Sequence, residues 1–95
     1  MARTPIHPGE HLAEQLRELG MTAAELGRRL EVPTNRITAI LNGQRAVTGD
    51  TALRLGKFFK TGAAFWMNIQ ARFDLETAED ALAPQIRKIA AYKAA

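Results

Sequence analysis

Residues 22–41, TAAELGRRLEVPTNRITAIL, constrain the fold more than any other stretch, because they carry start and stop signals for two amphipathic helices with almost nothing between them. Thr22 and Glu25 form an S/T-x-x-E capping box, and Leu26 and Leu30 share one helical face. Glu31-Val32-Pro33 ends that helix. Proline disfavours helical geometry at the residue before it, so Val32 is expected to be extended, with its side chain dropped between the two helices. Thr34 then stands near the next N-terminus, as a cap or an outward contact. Ile37, Ile40 and Leu41 give the second helix a buried stripe, and Asn42-Gly43 stops it, since glycine takes a left-handed C′ position at little cost.

Two helices joined this tightly read as a helix-turn-helix. The outer face of the second helix is left with Thr34, Asn35, Arg36, Thr38 and Ala39. Small and hydrogen-bonding side chains on a short helix, with Arg36 among them, suit entry into a DNA major groove and contact with base edges, so all five are expected to bind DNA. Helix pairs also occur in bundles that touch no nucleic acid. The short connection and the lack of Glu/Lys pairs on the outer face weigh against that alternative.

Charge points the same way. The chain carries +3 overall, but residues 28–60 hold seven basic side chains against two acidic ones. Residues 1–27 are net −2, and residues 61–95 are neutral. Positive charge therefore gathers around and after the second helix, where phosphates would need neutralising. At 95 residues the expected organisation is one domain across residues 1–95. The chain has no cysteine, which removes disulfide and thiolate-metal frameworks and is compatible with a reducing compartment. No apolar run reaches membrane-spanning length, and MARTPIHPGE lacks the hydrophobic core of a signal peptide, so a cytoplasmic protein with no membrane partner is expected.

The other segments also read as helix. Pro8 suits a first helical position after His7, with Leu12, Leu16 and Leu19 as the inward stripe and Gly20 as the stop. After a loop at 44–47, Thr48 is expected to cap a fourth helix with Asp50 in its first turn and Ala52, Leu55, Phe58 and Phe59 facing inward. A break at Thr61-Gly62 precedes a fifth helix, from about Ala63 to Phe73. Beyond Leu75, Glu76, Glu79 and Asp80 open a last helical piece that Pro84 interrupts, and Leu82, Ile86, Ile89 and Tyr92 keep a partial helical period. Trp66 beside Phe65 makes an apolar face too broad for a small core, which suggests a homodimer. Its interface is expected to include Trp66, Ile69, Phe73 and Leu82, within C-terminal helices at about 63–92, with Trp66 either at the interface or closing the core beneath it.

The run TAAELGRRLEVPTNRITAILNGQRAVTGDTALRLGKFFKTGAAFWMNIQARFDLETA resembles the HigA (VapI) antitoxins, within the lambda-repressor-like, Xre-type helix-turn-helix family. HPGEHL, NGQRAVTGDTALRL and FWMNIQARFDL carry the resemblance beyond the generic motif. It implies an all-α, five-helix domain with a C-terminal helical extension and the helix-turn-helix at about 22–42. It also implies a dimeric repressor of its own operator, an inverted repeat in double-stranded DNA, and in many members neutralisation of a HigB-type toxin that cleaves mRNA. By the same resemblance, Thr34, Asn35, Thr38 and Ala39 read bases, while Thr22, Ala23, Asn42, Gln44 and Arg45 contact phosphate. Glu31 departs from the family pattern, where glycine is usual, and a left-handed glutamate costs roughly 1 kcal/mol.

Enzymatic readings find little support. His7 and His11 have the spacing of a helical metal pair, but Pro8 and Gly9 intervene and His7 should lie outside the helix, so no metal is expected. No cysteine nucleophile, G-x-S-x-G or glycine-rich phosphate loop is present, and no cofactor is expected. Glu10, Glu14 and Glu18 read as a solvated face on which a basic toxin could dock. The competing functional classes are a stand-alone regulator without a toxin and a protein-interaction module that has lost DNA binding.

Overall fold

The computed structural model describes residues 4–93 and contains five helices among them: α1 (Pro8–Leu19), α2 (Ala23–Leu30), α3 (Thr34–Leu41), α4 (Gly49–Phe59) and α5 (Ala63–Arg87). No strand occurs among the described residues. α1 begins as its sequence requires. His7 is the N-cap, its Nδ1 accepts the Gly9 N–H at 2.8 Å, and Pro8 fills the first position, where a missing N–H costs nothing. The helix ends at Gly20 in the left-handed region, with the Met21 N–H donating to the Leu16 carbonyl at 3.0 Å in the manner of a Schellman cap.

α2 starts at Thr22, whose Oγ1 accepts the Glu25 N–H at 3.1 Å. Its C-cap is Glu31 at φ 62°, ψ 46°, a left-handed non-glycine residue. Val32 is half-buried and packs against the core, and its N–H donates to the Gly27 carbonyl at 2.9 Å. Gly27 lies at a close approach, since a Cβ there would meet the Val32 carbonyl oxygen at 3.0 Å. The N-cap of α3 is Pro33 rather than Thr34, which is the first helical residue; Pro33 brings no side-chain cap to the helix. Thr48 is the N-cap of α4 by backbone geometry, but its hydroxyl makes no capping hydrogen bond.

The core is built from Leu12 and Leu16 of α1, Leu26 and Leu30 of α2, Ile37 and Ile40 of α3, Val47, Ala52 and Leu55, and Trp66 of α5. Phe58 and Phe59 pack on its margin and are half-buried. Trp66 is 1% exposed, with its ring centroid 5.6 Å from that of His11 and 5.8 Å from that of Phe59. Leu19 departs from the expected inward stripe. It sits in the last turn of α1 and is 55% exposed, because the chain turns away at Gly20 before another element can cover it.

The C-terminal region differs most from expectation. α5 is one helix of 25 residues that runs through both Leu75 and Pro84 without a break. Residues 74–83, DLETAEDALA, lack glycine and are rich in alanine, leucine and glutamate, so nothing interrupts the helix before Pro84. The acidic residues lie mid-helix instead of opening a new one. The helix closes at Lys88, so Ile89 and Tyr92 lie outside any helix and are exposed. The Cα radius of gyration is 16.6 Å, against about 12 Å for a compact chain of this length. The outer half of α5 accounts for the excess: Leu75, Leu82 and Ile86 are 65%, 44% and 54% exposed.

Candidate nucleic-acid interface

α2 and α3 pack on each other across the turn at Glu31-Val32-Pro33, and Ile37 and Ile40, both fully buried, fix which face of α3 looks outward. Thr34 and Asn35 are exposed, while Thr38 and Ala39 are half-buried. Thr38 Oγ1 donates to the Asn35 carbonyl at 3.2 Å. At the start of α2, Thr22 is exposed and Ala23 is half-buried against the core. Asn42, Gln44 and Arg45 are exposed in the loop after α3. That loop has a defined shape: Gly43 is left-handed at φ 74°, and the Gln44 N–H donates to the Ala39 carbonyl at 2.8 Å.

Arg36, expected on the DNA-contacting face, is instead turned to the next helix. Its guanidinium reaches α4, donating to Asp50 Oδ1 at 2.9 Å, and Arg54 Nε donates to the same oxygen at 2.7 Å. Arg54 also donates through NH1 to the Leu30 carbonyl at 2.7 Å, at the end of α2. The left-handed turn at Glu31 is therefore held from outside by an arginine of α4. The hydrogen bond from Arg54, together with the charge of both arginines, holds the Asp50 carboxyl below its ordinary value of 3.8. The Asp50–Arg54 contact follows from i, i+4 spacing in the sequence, but Arg36–Asp50 joins two helices and leaves no local signal. Arg29 is likewise engaged, 3.5 Å from Glu25 and 5.2 Å above the Phe58 ring. The positive surplus of residues 28–60 is thus partly tied up within the fold. Arg45 is exposed and has no ion-pair partner among the described residues.

A buried side chain of α5 supports the loop after α3. Gln70 of α5 is 5% exposed; its Oε1 accepts the Val47 N–H at 2.7 Å and its Nε2 donates to Asp74 Oδ1 at 2.9 Å. This ties the loop that carries Gln44 and Arg45 to the last helix. A glutamine inside the apolar FWMNIQARFDL block, four residues before an aspartate, is the sequence signal for it.

Of the residues expected at a dimer interface, Trp66 is buried in the core, and Ile69 and Phe73 are half-buried. Phe73 meets the His7 ring edge-on at 4.9 Å, and Leu82 is exposed on the projecting half of α5. His7 is committed to its cap and to Phe73, while His11 packs beside Phe65 and Trp66. Among the described residues no group of three or more His, Asp or Glu side chains could hold a metal ion, and no helix is long and apolar enough to cross a membrane.

The helix-turn-helix family matches residues 12–66, which span α1 to the start of α5. An addiction-module antidote protein of the HigA family from Coxiella burnetii is similar to the whole arrangement, with 49% identity, 95% of this chain and 100% of that chain covered, and a TM-score of 0.92. The chain belongs to the HigA family of helix-turn-helix proteins. A second HigA structure, the antitoxin HigA of Pseudomonas aeruginosa solved with the higBA promoter, is 41% identical over 94% of this chain and 99% of that one, with a TM-score of 0.89. The antitoxin GraA in complex with its operator is 40% identical, with 100% and 97% of the two chains covered and a TM-score of 0.89. Virulence-associated protein I of Dichelobacter nodosus is 45% identical over 75 residues, 78% of this chain and 69% of that relative. The HigA family is one of DNA-binding regulators rather than of enzymes.

Proposed function

We propose that the chain is a sequence-specific DNA-binding repressor and the antitoxin of a HigBA-type module, acting in the cytoplasm without catalysis. The observation that carries the reading is the exposure of Thr34 and Asn35 on α3 and of Gln44 and Arg45 in the loop that follows it, while Ile37 and Ile40 of the same helix are buried in the core. Thr34, Asn35, Thr38 and Ala39 read base edges; Thr22, Ala23, Asn42, Gln44 and Arg45 position the protein on phosphate. The likeness to HigA and GraA structures that hold a promoter or an operator supports this assignment.

One such domain offers few base contacts, whereas two related by a two-fold axis set their reading helices about 34 to 36 Å apart, one turn of DNA. The projecting half of α5 offers a surface for that pairing, with Leu75, Ala78, Leu82 and Ile86 exposed at helical spacing. Ile69 and Phe73 lie further back on the same helix, and Trp66 forms the core beneath. Glu10, Glu14 and Glu18 are exposed on α1 and suit a basic ribonuclease toxin of the HigB type.

Salt-dependent titrations against a promoter fragment and random duplex test the assignment. Asn35→Ala should lower the ratio of specific to random affinity by about 1 to 3 kcal/mol. Arg45→Ala should weaken both duplexes alike and reduce the slope of log K against log salt by about one unit per arginine. A loss confined to one base pair for Arg45→Ala would refute its phosphate role. A short basic reading frame beside the gene separates an antitoxin from a regulator without a toxin.

A further inference from the structure

The reading helix contains one cation, Arg36, and that cation is turned to α4 instead of being left for DNA. Its side chain is 23% exposed, whereas that of its partner Asp50 is 54% exposed. Asp50 Oδ1 holds Arg36 and Arg54 together, at 2.9 and 2.7 Å. Asp50 also sits in the first turn of α4, close in sequence to the Gln44–Arg45 loop assigned to phosphate. An exposed carboxylate there repels phosphate and occupies the two guanidiniums nearest to it.

Non-specific DNA affinity is set almost entirely by how many cations reach phosphate and release counterions. In a loosely docked complex, any mobile arginine can find a phosphate. In the operator complex, base contacts fix the register, and a freed side chain gains a partner only where geometry permits. Free arginines on the binding side therefore raise random affinity more than operator affinity.

We propose that Asp50 is a specificity-determining residue, which withholds Arg36 from DNA phosphate so that discrimination rests on the uncharged Thr34, Asn35 and Thr38; Arg54 stays tied to the Leu30 carbonyl whatever stands at position 50. The proposal rests on the DNA-binding reading above. It assigns Arg36 no phosphate contact in the native protein.

The test compares the native chain, Asp50→Asn, Arg36→Ala and the double variant on a random-sequence duplex and a duplex from upstream of the chain's own gene, at several salt concentrations. Asp50→Asn should bind random duplex several-fold more tightly, with a salt slope steeper by about one unit per protomer, and its operator-to-random ratio should fall. Adding Arg36→Ala should reverse part of that gain. Arg36→Ala alone should leave the native random-duplex slope unchanged. Random-duplex affinity of Asp50→Asn that is equal to or below native overturns the proposal, since Asp50 would then act only as a helix tie. A slope reduced by about one unit per protomer for Arg36→Ala alone also overturns it, and this arm decides the matter if circular dichroism shows Asp50→Asn unfolded. A native chain that binds neither duplex removes the DNA-binding reading itself, a result distinct from either of these.

Discussion

The Val47 N–H and Gln70 Oε1 lie 2.7 Å apart, joining the loop after the reading helix to α5 in a site where Val47 is 2% exposed and Gln70 5%. Water cannot replace an acceptor lost there. Gln70→Ala should therefore destabilise the fold by about 1 to 3 kcal/mol, the cost of leaving a buried donor unpaired. Thermal melts check this. It should also weaken DNA binding through the loosened Gln44–Arg45 loop, and a variant with native stability and native affinity would show that the loop holds its shape unaided.

Ile37 is fully buried where α3 packs on its neighbours. Ile37→Ala should cost about 2 to 5 kcal/mol, from lost burial and the cavity left behind. Denaturant or thermal unfolding measures it directly. An unchanged midpoint would contradict the packing of the reading helix on the core.

Asp50 makes the fold acid-sensitive in a particular direction. Its carboxyl is held below the ordinary 3.8, chiefly by the hydrogen bond from Arg54, so its contribution to stability is complete above that value and is lost as pH falls through the lowered one. Melts of native chain and Asp50→Asn should differ near neutral pH and converge in acid. A difference that persists at the acid end would mean that the carboxylate charge is not what Arg36 and Arg54 require.

Leu75 and Leu82, 65% and 44% exposed, can be changed without touching the core. Their joint replacement by glutamate should leave helicity and melting temperature near native while converting dimer to monomer in sedimentation, with a large loss of operator affinity. Unfolding of the variant would instead make this stripe part of the fold.

The helix-turn-helix was legible because local rules govern it: a threonine cap, a proline-directed turn, an isoleucine stripe and an Asn-Gly stop all act within a few residues. The left-handed Glu31 follows from no local rule and is expected only through the family resemblance. Contacts between distant segments were not legible. Nothing near Arg36 in sequence announces Asp50, and although Gln70 stands out within its apolar block, nothing there names Val47 as its partner. The end of the chain misled for a different reason. Acidic residues and proline are common at helix starts, and Glu76, Glu79 and Pro84 invite a new helix there, yet the absence of glycine and the high propensity of the intervening residues keep α5 continuous.

Gly9 stands at the start of α1 directly against the end of α3, so that a Cβ at this position would overlap the Ile40 carbonyl oxygen. The reading helix is thus seated on bare backbone, and any side chain at position 9 would push that end of it outward. Its outward positions Thr34 and Asn35 meet no such restriction, since they face solvent. A scaffold of this kind can acquire a new operator by exchanging a few side chains while the pose of its reading helix stays fixed, which makes the outer face of α3 the natural place to vary when retargeting the protein and Gly9 a position to leave alone.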